Sequence, residues 1–198
     1  KNKVLFLIAC LLHDIGHAPF SHSLEDLVLK NSADEDILTE RLVKIINKIE
    51  VIWLGGHSFL SKDNKEFNFK QDVQAVRNVF ESKVKLTIIP CKNVASNLRT
   101  SIYELEHFLK GKSELCDYLC QRFYNDGVHG IQERRVIWDI SVIAYMINKE
   151  WFDTEEVSCP NINNDTSYEL TTKNHKITVV NYLNVDKIYR DLFEKLGV

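Results

Sequence analysis

The chain has no strong excess of either charge. Lys plus Arg number 25 against 28 Asp plus Glu in 198 residues, a formal net charge of −3, so no broad basic field marks a nucleic-acid protein, and a buried small-molecule site fits better. A long apolar run is also lacking. The longest, "VLFLIACLL" at 4–12, ends in His-Asp, is too short to span a bilayer and has no signal-peptide cleavage pattern. A soluble, cytoplasmic protein is expected, with neither membrane nor nucleic acid as partner. Cys10, Cys91, Cys116, Cys120 and Cys159 are odd in number and irregular in spacing, which argues against a disulfide framework and for reduced thiols. Cys116 and Cys120 lie one helical turn apart, but no second ligand pair follows, so packing is favoured over a zinc site. Repeats and low-complexity tracts are absent too. The length suits one domain or two small ones, with enough chain for a substantial core.

What is there changes character near residues 44–50. Residues 3–49 read as helical, with "LEDLVLK" and "ILTERLVKIINKI" repeating apolar residues three and four apart around a polar break at "GHAPFSHS". From Val51 the style alternates. "VIWLGG" and "KLTIIPC" read as buried strands, "DVQAVRNVFES", "NLRTSIYELEHFLKG" and "SELCDYLCQRFYNDG" as helices, and "VIWDISVIAYMI" as a mostly apolar helix. "DTSYELTT" and "HKITVVNYL" suggest a late hairpin turning at "KN", and "VDKIYRDLFEKLG" a closing amphipathic helix with glycine just past its end. Strands alternating with helices predict an α/β sheet over 47–198, after a helical segment at 1–46.

Two stretches carry chemistry. In "LLHDIGHAPFSHSLE" at 11–25, His13 and Asp14 offer imidazole and carboxylate from one helix end, a donor pair that suits a first-row divalent ion. This stretch resembles the HD-domain phosphohydrolases, especially the branch that removes triphosphate from deoxynucleoside triphosphates. The resemblance implies that His13 and Asp14 bind Mn2+, Fe2+ or Mg2+ and that His17 and His22 face phosphates. The family's upstream histidine has no counterpart, because it would fall before Lys1; Glu114 in "ELCDYL" stands where a ligand aspartate would be; and Asp34-Glu35 replaces the usual His-Glu pair. At least one ligand is therefore expected to be missing.

From about Asn47 onward, "KIEVIWLGGH", "EFNFKQDVQAVRNVFES", "VKLTIIPCKNVAS" and "VIWDISVIAYMI" occur in an order that resembles the inosine-uridine preferring nucleoside hydrolases. The resemblance implies a mixed sheet with flanking helices. It implies that Glu66 and Asn68, with Asn64 beside them, hold ribose hydroxyls, and that Asp139 and a backbone carbonyl in "NVAS", most simply that of Val94, bind Ca2+. Glu66 and Asn68, two apart, would share one side of an extended segment, with Phe67 pointing into the core. Trp138 occupies the position where many members carry a general-acid histidine; indole cannot supply that proton, but its ring can stack on a departing base. The family's Asp-rich opening segment has no counterpart before "VIWLGG". The expected activity is hydrolysis of purine ribonucleosides, the alternatives being a metal-dependent nucleotide phosphohydrolase or an inactive chain, with a small nucleoside or nucleotide as ligand and the oligomeric state open.

Overall fold

The computed structural model of the chain describes residues 46, 48–61, 64–125 and 134–196. Strand β1 (Glu50–Leu54) leads through a short helix α1 (Phe67–Gln71) and helix α2 (Val73–Glu81) to β2 (Lys85–Ile89). A loop with a 3-10 turn at Ala95–Asn97 leads to β3 (Arg99–Thr100), then to helices α3 (Ile102–Leu109) and α4 (Glu114–Asn125). The chain continues through β4 (Arg135–Val136), α5 (Ile140–Ile147), β5 (Phe152–Ser158), β6 (Asn161–Ile162), β7 (Tyr168–Glu169), β8 (Lys176–Leu183) and α6 (Val185–Leu196).

The main sheet runs β1-β2-β8-β5. β1 and β8 lie parallel to β2, with Leu54 opposite Ile89 and Ile88 opposite Val179, and β5 closes the sheet antiparallel to β8. β2 is buried from Leu86 to Ile89, with Thr87 as its one polar residue there, because both of its faces are covered, which removes the usual alternation. Leu86 and Ile88 face a layer holding Phe69, Phe80 and Val76 from α1 and α2. Ile89 and Val180 face the other layer, with Ala144 and Tyr145 of α5 and Ile188 of α6. Helices on both faces of a mixed sheet therefore make three layers, and the expected α/β class holds for the described residues from 48 onward.

The helices start where local chemistry favours it. Asp72 accepts the Ala75 N–H at 2.8 Å, and Ser101 and Glu104 form a reciprocal capping box at the head of α3. Cys116 and Cys120 lie on the inner face of α4, against Leu105 and Leu109 of α3. All four described thiols are free and buried.

Several local expectations are corrected. "DTSYELTT" and "HKITVVNYL" do not pair: β7 joins β6, while β8 is a central strand of the sheet. The antiparallel neighbour of β8 is "FDTEEVS", whose four exposed residues from Asp153 to Glu156 hide its strand character at a sheet edge. "VIWDISVIAYMI" becomes helical only at Ile140, since Arg135 and Val136 pair with β3. Glu66, Phe67 and Asn68 are not one extended segment. Glu66 caps α1 and Asn68 lies in its first turn, so Phe67 is 67% exposed and Phe69 is the residue driven into the core. Cys10, His13, Asp14, His17, His22 and Asp34-Glu35 lie outside the described residues.

Candidate functional site

The parallel register of β1 and β2 brings their two exit loops side by side. Gly55 donates to the Ile89 carbonyl at 3.2 Å, and Cys91 donates to the Gly56 carbonyl at 3.0 Å. Gly56 has φ +68°, and a Cβ there would lie 2.3 Å from the Tyr168 hydroxyl, so conformation and space both require glycine. Its N–H points at Glu66 Oε2, 3.1 Å away.

Glu66 is thereby tied to two segments. Oε2 also accepts the Phe69 N–H at 3.0 Å, and Oε1 accepts the Asn68 N–H at 3.0 Å. A carboxylate has about four acceptor positions, and three backbone donors take up most of them. Asn64 is buried, accepts the Glu66 N–H on its own carbonyl at 2.7 Å and leaves its side-chain Oδ1 without a partner. Asn68 is exposed.

The loop after β2 is held by its own polar groups. Asn93 adopts φ +69° and donates to Ser96 Oγ at 2.9 Å, while its carbonyl accepts the Asn97 side-chain amide at 2.8 Å. Val94 is buried, and its carbonyl accepts the Asn97 N–H at 3.1 Å, which leaves one lone pair. Leu98 then accepts the Ile137 N–H at 2.8 Å, attaching this loop to the approach to α5. At that approach Trp138 is 39% exposed and stands outside the core clusters. Asp139 begins α5, but its side chain caps no backbone N–H.

Cys91 links these parts electrostatically. Burial, foremost, and the carboxylates of Glu66 and Asp139 hold its thiol far above the usual range, Glu66 by hydrogen bonding as well as charge. Tyr168 is raised in the same way, by burial first and then by Glu66 and Cys91, against a lowering contribution from the His57 backbone. Its hydroxyl approaches that backbone without closing a well-formed hydrogen bond. Glu66 and Asp139 thus share the surroundings of Cys91, with Asn64 adjoining Glu66 and Val94 on the same loop as Cys91. Asn68 faces solvent at the margin. Sequence reasoning missed Gly56, Cys91 and Tyr168; the glycine pair in "VIWLGGH" was a usable signal for the first, whereas the contacts of the others join distant segments. Among the described residues no group of three or more His, Cys, Asp or Glu could hold a metal ion.

The fold is similar to that of solved nucleoside hydrolases. The structure resembles an inosine-uridine preferring nucleoside hydrolase from Bacillus anthracis at a TM-score of 0.62 and 18% identity, covering 81% of this chain and 55% of that one. It resembles a plant nucleoside hydrolase at 0.61 and 10% identity, covering 80% and 66%. A purine-preferring ribonucleoside hydrolase from Gardnerella vaginalis aligns at 0.56 and 12%, covering 73% and 49%. The chain thus spans between about half and two thirds of the length of these structures. The HD-domain family model matches residues 1–89, a span that runs from the His13-Asp14 stretch through β2. Both resemblances drawn from the sequence are therefore met, one as a family match and the other as a fold. No curated relative matches the chain. No helix among the described residues is long and apolar enough to cross a membrane.

Proposed function

We propose that the chain hydrolyses the N-glycosidic bond of purine ribonucleosides, releasing ribose and free base. The observation that carries this reading is Trp138, exposed beside Asp139 on a nucleoside hydrolase fold. An exposed indole at the head of α5 offers a flat face to a base, and such stacking is worth about 1–3 kcal/mol per base in nucleic-acid systems. Since indole donates no proton near neutral pH, the leaving base takes its proton from solvent, and a stacked purine ring is the better leaving group of the two base classes.

Asn64 and Glu66 would take the ribose hydroxyls: Asn64 Oδ1 has no partner, and the Glu66 carboxylate adjoins it. The Glu66 carboxylate is already fixed by three backbone donors, so it binds without first being ordered. Asn68 would contact the sugar only at the rim, since it is exposed. Asp139 and the Val94 carbonyl are oxygen donors of the type Ca2+ prefers, but the described residues supply no acidic cluster to complete such a centre. They do not by themselves fit the ion. Buried, free thiols are consistent with a cytoplasmic setting.

Steady-state ribose release from inosine and uridine, for the wild type and Trp138→Ala, tests the reading. Inosine is expected to be preferred, and the variant is expected to lose inosine turnover selectively while remaining folded. Equal loss on both substrates, or a wild type that prefers uridine, overturns it.

The HD-domain match over residues 1–89 favours a second reading, a nucleotide phosphohydrolase using His13 and Asp14 with Mn2+, Fe2+ or Mg2+. Release of phosphate or triphosphate from nucleotides, abolished by His13→Ala while ribose release is unaffected, would select it.

A further inference from the structure

The end of the sheet opposite Glu66 holds a cavity of about 440 Å3, bounded by the last turn of α2 and by the loop between β5 and β8. It is distant from the exit loops because Lys83 precedes β2 and His175 precedes β8, whereas Gly56 and Cys91 follow the other ends of their strands. Arg77, Lys83, Lys173 and His175 line it, and Glu81 is the one carboxylate among its lining residues.

The three cations are not neutralised. Among the described residues Arg77 is held only by uncharged acceptors: the Ile162 carbonyl at 3.2 and 3.1 Å, Asn164 Oδ1 at 2.8 Å and Gln74 Oε1 at 2.8 Å. Among the described residues neither Lys83 nor Lys173 is ion-paired. His175 Nε2 is buried without a hydrogen-bond partner. Burial, and then the Lys83 charge, hold that imidazole below its usual range, so it stays neutral beside the cations. The wall itself is stiff: Asn174 donates to the Cys159 carbonyl and to Asn161 Oδ1, each at 2.9 Å, and the His175 carbonyl accepts the Cys159 N–H at 2.8 Å.

A guanidinium fixed by neutral groups, two unpaired ammonium groups and an imidazole nitrogen lacking a partner face a single lining carboxylate, Glu81. We propose that this cavity binds a phosphate-type oxyanion, separately from the candidate hydrolytic site. A tetrahedral oxyanion accepts from several directions at once, which matches cations placed on α2, on the turn after it and on the β5–β8 loop. The volume exceeds a lone phosphate and falls in the range of small-ligand pockets, about 300–1,000 Å3, so a phosphomonoester of a small sugar fits as well as the free anion. The binding does not depend on Glu66, Trp138 or Asp139.

Calorimetric titration of the full chain with inorganic phosphate and with ribose 5-phosphate, alongside NMR titration of the His175 ring, tests this. Binding is expected with one or both, and the tighter of the two identifies the free anion or the phosphomonoester as the source. The bound anion should offset Lys83 and accept from Nε2–H, so the His175 pKa should rise on binding while His107, on α3, stays unmoved. Exchanging both lysines, Lys83→Ala with Lys173→Ala, should weaken binding about tenfold or more. Lys83→Glu should abolish it without unfolding the chain, as judged by its circular dichroism. Absence of binding by either probe at millimolar concentration, or binding that the double variant leaves intact, overturns the proposal.

Discussion

The two ends of the sheet treat charge in opposite ways. At the carboxyl ends of β1 and β2 one acid is matched to backbone donors: Glu66 accepts from Gly56, Asn68 and Phe69, and the loop around Asn93 satisfies its own groups. At the amino ends, cations outnumber their partners. Glu50 alone serves both Lys85 at 3.3 Å and Lys149 at 3.0 Å, and the cavity beside α2 holds three cations with no ion pair. The Glu66 carboxylate and the Asn93 loop are fixed before any ligand arrives, because folding itself satisfies them, while Asn64 Oδ1 keeps no partner. The amino end keeps unspent positive charge, which folding tolerates because exposed ammonium groups remain hydrated. Function can be located in both kinds of site, but mutation should read them differently: stability should respond at the first and binding at the second.

The sharpest way to break the carboxyl end is to remove its anchor. Phe69 is fully buried between Trp53 and Tyr168, and Phe69→Ala should cost about 3–5 kcal/mol in urea denaturation. A loss under about 1 kcal/mol would mean that α1 is not fixed by the core. Gly56→Ala comes next. Its left-handed φ alone costs about 1–2 kcal/mol, and the new methyl meets the Tyr168 hydroxyl. Adding Tyr168→Phe should recover part of that loss, and recovery of none would place the strain in the backbone alone.

Glu66→Gln should cost about 1–2 kcal/mol, because an amide group replaces one acceptor of a three-donor cap. The same change removes a charge that raises the Cys91 thiol, so alkylation of Cys91 at mildly alkaline pH should speed up. Unchanged alkylation would show that burial alone sets that thiol.

The amino end should respond less. Burial raises the Glu50 pKa, but the hydrogen bonds and charges of Lys149 and Lys85 outweigh it and lower the net value. A lowered folded pKa gives stability that is present above the unfolded carboxylate range and is lost as pH falls through the folded value. Lys149→Met should therefore cost less than about 1 kcal/mol at pH 7, and the difference should vanish in acid. Lys83→Ala should move thermal stability least, within about 0.5 kcal/mol; a larger loss would mean that its charge is structural.

Much of this architecture was legible because periodicity reports burial. β1, β2, α2, α4 and α6 all follow from runs or from spacings of three and four, and β2 is largely apolar because both its faces are covered. β5 escaped since its exposed edge carries Asp153, Glu155 and Glu156, which read as loop residues. The late hairpin was misassigned for a related reason: apolar runs reveal strands but not which strand lies beside them, and β8 pairs with residues far away in sequence. Within the site, Asn64, Glu66, Asn68, Val94, Trp138 and Asp139 came from resemblance to a family, while Gly56, Cys91 and Tyr168 needed the register of β1 on β2. The extended reading of "EFNF" failed because a carboxylate before two free backbone N–H groups is itself a helix start, and Glu66 took that role.

The acidic outer strand has a consequence for how the protein behaves among copies of itself. β5 ends the sheet, and an uncovered strand is a template on which another chain can add backbone hydrogen bonds. From Asp153 to Glu156 that template carries three carboxylates in four residues. A second β5 drawn alongside would bring like charges into register on both strands, and their repulsion opposes the pairing. The residues that obscured this strand in the sequence are therefore ones that oppose pairing of two such edges.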